Sequence, residues 1–84
     1  MKKTMADFQD FVDDLFEKID PIYNYIAVDY GGPVWAYTDR PSVDGDMWAG
    51  VEWACYCECI GAVGELGFDF EYDYKEMIFE KSTN

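Results

Sequence analysis

Histidine is absent from this 84-residue chain, and positive charge is scarce: six Lys and Arg stand against 18 Asp and Glu, for a net charge of −12. Between Ile19 and Tyr74 the only basic residue is Arg40, against 11 acids. Without histidine, a nucleophile lacks its commonest base and zinc lacks its usual nitrogen ligand. Without positive charge, nucleic acid and anionic membranes are poor partners, because both repel such a surface. Long apolar runs are missing too; no stretch approaches the roughly 18 continuous apolar residues that span a bilayer. Lys2 and Lys3 are followed by Asp7 and Asp10, which interrupt any signal-peptide core. Cysteine is limited to Cys55, Cys57 and Cys59, an odd number at i, i+2 spacing, where a secreted disulfide framework would use an even and dispersed count. The expectation is a cytoplasmic chain with reduced thiols.

What is present suffices for a fold. Half of the residues are apolar and 19% are aromatic, which predicts one small ordered domain over residues 1–84. The stretch 23–41, YNYIAVDYGGPVWAYTDRP, organises the rest. Two β-branched and aromatic runs flank Gly31-Gly32, a pair that supplies the positive φ angles of a tight reversal. Pro33 cannot donate to a ladder and fits the first position of the second strand, and Pro41 is expected to end it. Ile26 and Val28 share one face of the first strand; Trp35 and Tyr37 share one face of the second.

Residues 4–20 read as an amphipathic helix. Thr4 is a candidate N-cap with Asp7 in place of the usual Glu or Gln of a capping box. Met5, Phe8, Val12, Leu15 and Ile19 recur at helical spacing, widened by Phe11 and Phe16. Asp7, Asp10, Asp14 and Glu17 recur on the opposite face, and Pro21 ends the helix. Residues 40–47 read as a polar loop with Asp44-Gly45-Asp46 as its turn. Residues 51–59 alternate as a third strand, with a helix as the rival reading, and Gly61 and Gly64 break the run. Residues 67–75, GFDFEYDYK, alternate aromatic and acidic side chains as a fourth strand, continued by either strand or helix to residue 81. The fold class is α+β, one N-terminal helix packed on a three- to four-stranded, mainly antiparallel sheet.

Motifs for chemistry are few. No GxGxxG, P-loop or EF-hand pattern occurs. Eighteen acids guarantee carboxylate pairs by chance, so glycosidase-type pairing carries no specificity. The CxCxC run lacks metal-site spacing and reads as small residues on the core face of a strand. The expectation is therefore no enzyme, no cofactor and no metal. Charge distribution remains. The row Asp7, Asp10, Asp14, Glu17 places four carboxylates over about 15 Å of helix. The row Asp69, Glu71, Asp73 spaces its charges about 6.7 Å apart along a strand. Both are sparser than duplex phosphate, yet they share its sign and scale.

The run Ile26-Ala27-Val28-Asp29, then Gly32, Val34-Trp35-Ala36-Tyr37, Pro41 and Trp48, resembles small phage and prophage proteins with an IAVDxxGxxWAYxxxP hairpin. Tyr74-Lys75-Glu76-Met77-Ile78 is similar to the WKESL-like tail of that family, while the acidic stretch 51–73 departs from its shorter form. That family has no characterised function, so the resemblance implies a hairpin and a phage origin but no chemistry. By type, short and very acidic phage proteins also resemble DNA-mimic inhibitors, including anti-CRISPR and anti-restriction proteins. The resemblance implies an inhibitor that binds a basic nucleic-acid-binding bacterial protein, a CRISPR effector as first choice, in the host cytoplasm. Its contacts would be Asp7, Asp10, Asp14, Glu17, Asp69, Glu71 and Asp73, with Trp48 and Tyr72 as aromatic anchors. The alternative is an interaction module that binds a partner, or a second copy of itself, through an apolar patch of Trp35, Tyr37 and Trp48. The chain would act as a monomer or a homodimer.

Overall fold

The computed structural model describes residues 4–50, 56–68 and 71–81. Helix α1 (Met5–Lys18) begins at Thr4, whose extended backbone and side chain form a complete capping box with Asp7. The Asp7 N–H donates to Thr4 Oγ1 at 3.3 Å, and the Thr4 N–H donates to Asp7 Oδ2 at 2.8 Å. The shorter acid therefore serves where Glu is usual. Ile19 leaves the helix in an extended conformation, two residues before Pro21.

The glycine pair performs as its composition predicts. Gly31 and Gly32 have φ of 92° and 115° and turn β1 (Tyr25–Val28) into β2 (Pro33–Tyr37). Pro33 opens its strand, where its missing N–H costs no interior bond. The two strands pair antiparallel with Ile26 opposite Ala36 and Ala27 opposite Trp35.

Pro41 begins a strand rather than merely ending one, which corrects the polar loop expected at 40–47. β3 (Pro41–Asp44) and β4 (Met47–Gly50) form a separate two-stranded sheet. Gly45, with φ of 69°, holds the first of its two loop positions, where a II′-type reversal demands positive φ.

The outer strands also differ from expectation. β5 (Cys57–Ala62) pairs with β2 and runs through Gly61, with a register shift at Val34/Trp35; residues 51–55 of the expected third strand lie outside the described residues. A bulge is where a strand tolerates glycine, so Gly61 does not break it. The described residues of the alternating stretch 67–75 do not form the expected strand. Residues 69 and 70 lie outside the described residues, residues 71–73 are irregular, and Tyr74–Glu76 is a 3₁₀ turn. The Asp73 carboxylate accepts the Lys75 N–H at 3.0 Å. Such local capping competes with a ladder, and acids are poor strand residues. The last strand is β6 (Ile78–Glu80), antiparallel to β1. Among the described residues the main sheet thus has four strands in the order β5-β2-β1-β6.

The two faces of this sheet carry different loads. Ile26, Val28, Val34 and Ala36 point to α1 and join Phe8, Val12, Phe16, Phe68 and Met77 in the main core. The Phe8 ring meets Phe68 edge-on at 5.0 Å and Phe79 at 5.6 Å. Phe16 is a central residue of the helix stripe, whereas Met5 is exposed. Ala27 and Tyr37 point the other way and join Trp48 of the small hairpin in a second cluster, flanked by Tyr25, Trp35 and Ile78.

Candidate functional site

Two surfaces arise from this arrangement. On the outer side of α1, Asp10, Asp14 and Glu17 are exposed, as the helical spacing predicts, and Asp13 lies among them. Gln9 Nε2 donates to Asp13 Oδ1 at 3.3 Å. Lys18 is the one basic residue of α1 and approaches Asp14 at 3.7 Å, with both side chains largely in solvent. A pair of that kind contributes little, so the face keeps its negative sign. Asp7 is exposed on the same helix but is occupied by the cap.

The second surface is a groove of about 260 Å³ between the main sheet and the small hairpin. Trp35 and Tyr37 of β2, Met47 and Trp48 of β4, Cys57 of β5 and Asp29 line it. Its position follows from the alternation of β2, which sends Trp35 and Tyr37 away from the helix. The hairpin that forms the opposite wall is held by hydrogen bonds centred on Trp48. The Trp48 N–H donates to Asp29 Oδ1 at 2.7 Å, and the Tyr37 hydroxyl donates to the Trp48 carbonyl at 3.0 Å. The Trp48 indole N–H donates to the Tyr74 carbonyl at 2.9 Å, and the Tyr74 hydroxyl returns a 2.6 Å bond to the Gly45 carbonyl. The Tyr30 N–H adds a bond to the Asp46 carbonyl at 3.1 Å.

Asp29 is the buried charged residue of this surface, at 8% exposure. Burial pushes its carboxyl above the ordinary carboxylate range; the Trp48 N–H pulls it down, and the like charge of Asp46 adds to the rise. One hydrogen bond reaches the carboxylate from the described residues, and it engages only one of the two oxygens.

The residues expected to make contacts are thus divided. Asp7, Asp10, Asp14 and Glu17 come together on α1. Asp69 lies outside the described residues, and Glu71 and Asp73 sit on an irregular segment, so they do not form the expected strand row. Trp48 is 92% buried and Tyr72 is half-buried, which corrects their reading as exposed anchors. Both are large side chains that the docked segments need as packing. Trp35, Tyr37 and Trp48 do converge, as the alternative reading expects. Cys57 and Cys59 are exposed free thiols, not core residues, because β5 pairs them with Tyr37 and Trp35 on the face that α1 does not cover. Among the described residues no three metal-ligating side chains converge. Sequence reasoning missed Asp29 and Met47; an acid beside Gly31-Gly32 reads as turn chemistry, and its partner is 19 positions away. Among the described residues no helix is long and apolar enough to cross a membrane.

No family model matches the chain, and no curated protein or solved structure matches it significantly.

Proposed function

We propose that this chain is a phage-encoded acidic inhibitor that binds a basic, nucleic-acid-binding surface of a bacterial defence protein, with a CRISPR effector as first choice, in the host cytoplasm. The observation that carries this reading is the solvent-facing row Asp10, Asp13, Asp14 and Glu17, on a capped helix whose single basic residue is terminal. A field of one sign steers a basic partner and speeds association. The reading rests on α1, because Glu71 and Asp73 sit on an irregular segment and Asp69 lies outside the described residues.

The test combines reversal and salt. Asp10, Asp14 and Glu17 are changed together to Lys, leaving Asp7 to cap the helix. The wild-type chain is expected to compete with nucleic acid for its partner at low salt and to lose affinity steeply as screening shortens the field. The reversed chain should lose that competition. Equal binding by both chains at low salt would show that the acidic face is not the contact.

The convergence of Trp35, Tyr37 and Trp48 favours a second reading, an interaction module whose groove takes a partner or a second copy. Binding of that kind is nearly indifferent to salt, and the same titration separates the two.

A further inference from the structure

We infer that the groove receives the guanidinium of an arginine side chain from the basic partner, stacked between Trp35, Tyr37 and Trp48 with its charge at Asp29. The kind of partner rests on the proposed function; the chemistry of the guest rests on the groove alone.

Three observations lead there. Asp29 is a carboxylate taken largely out of water with one hydrogen bond from the described chain. A buried charge left without a counter-charge is unfavourable, and the like charge of Asp46 makes it more so. A cation offsets both. The walls beside that carboxylate are aromatic, and aromatic faces attract cations most strongly where water is excluded. The size is also selective. Drug-sized ligands occupy clefts of about 300–1,000 Å³, and about 260 Å³ suits one long side chain better than a whole molecule.

Arginine fits better than lysine. An ammonium is a compact, strongly hydrated charge, and it would enter to find one carboxylate oxygen still open. A guanidinium is flat and weakly hydrated, stacks on rings, and can give that oxygen a charge-assisted bond.

The probe is N-acetyl-arginine amide, titrated into the full ¹⁵N-labelled chain while the Trp48 amide and Trp35 indole resonances are followed. N-acetyl-lysine amide and N-acetyl-norleucine amide run in parallel. The arginine probe is expected to saturate, and to bind about tenfold more tightly than either control. Asp29→Asn keeps an acceptor for the Trp48 N–H and should weaken the arginine probe by about tenfold, with the norleucine response unchanged. Trp35→Ala, which leaves the Asp29 bond to Trp48 in place, should also lose the arginine probe, and it decides the matter if Asp29→Asn fails to fold. Norleucine binding as tight as arginine binding would make the groove an apolar cleft and overturn the inference. So would the absence of any response. The helix triple reversal should leave the arginine titration unchanged. Salt-sensitive partner binding without any arginine response would sink the groove and leave the proposed function standing; the converse would sink the function alone.

Discussion

The helix face and the hairpin face of one four-stranded sheet are built on different principles. The helix face is closed by apolar burial: Phe8, Val12, Ile26, Val28 and Val34 are fully buried there, with ring-on-ring contacts between α1 and the segments around Phe68 and Phe79. Among the described residues the apolar cluster of the hairpin face is Ala27, Tyr37 and Trp48, and that face is closed by directional bonds to the Trp48 backbone and indole. Burial is non-directional and fills the space available. Hydrogen bonds fix a distance and leave the remaining space open, and here that space is the groove. Stability is concentrated on one side of the sheet, and a grooved, charged, aromatic surface on the other.

The largest expected break of this contrast is Phe8→Ala. It removes the ring that touches Phe11, Phe68 and Phe79, and it should cost about 3–5 kcal/mol. Small proteins hold about 5–15 kcal/mol in total, so urea titration should find cooperative unfolding at much lower denaturant or lost. Tyr37→Phe tests the other side. It removes one hydroxyl and leaves the buried Trp48 carbonyl without that donor, at a cost of about 1–3 kcal/mol. The same titration should give a smaller loss with the slope unchanged, and near-UV circular dichroism should report altered packing of the Trp48 indole.

The smallest effect concerns pH and belongs to the hairpin face. Burial raises the Asp29 carboxyl, the Trp48 N–H lowers it, and Asp46 raises it. The net shift is upward, so the folded protein binds this proton more readily than the unfolded chain. The stabilising contribution is complete below the ordinary Asp value of about 3.9 and is lost as pH rises through the raised folded value. Melting temperature should therefore rise as pH is lowered from neutrality through the raised folded value toward the ordinary Asp value of about 3.9, and more salt at neutral pH should act in the same direction by screening. Asp29→Asn should melt higher than wild type at neutral pH and show a shallower rise on acidification. A wild-type melting temperature that falls over this interval would mean that Asp29 is stabilised in its charged form.

The same contrast governs what the sequence disclosed. The helix face was legible because its signals are local: Thr4 with Asp7, apolar residues at helical spacing, and Gly31-Gly32 before Pro33. The hairpin face was legible only in its rings. Trp35 and Tyr37 alternate visibly on β2, but PSVD and MWAG contain too few β-branched and aromatic residues to read as strands. Their pairing depends on docking to Asp29, Tyr30, Tyr37 and Tyr74, contacts that no window of residues contains. The tail misled for a related reason. Alternation in 67–75 has the period of a strand, but Phe68 is drawn into the Phe8 cluster, and Tyr74 is drawn to Gly45 and to the Tyr30 ring at 5.7 Å. Period shows which residues seek burial, and here they find it in different places.

Strand β1 has two neighbours at very unequal distances along the chain. Its pairing with β2 closes over a glycine turn, whereas its pairing with β6 joins Ile26 to Phe79, and the Lys81 N–H extends that seam by a 2.8 Å bond to the Asn24 carbonyl. Closing a long loop carries an entropic cost before its contacts reward it. On emergence from a ribosome, the β1–β2 ribbon can form at once, while its free edge stays open until β6 arrives. An unpaired edge invites other strands, so the tail strand acts as a late seal whose arrival ends the interval in which β1 can pair with the wrong neighbour.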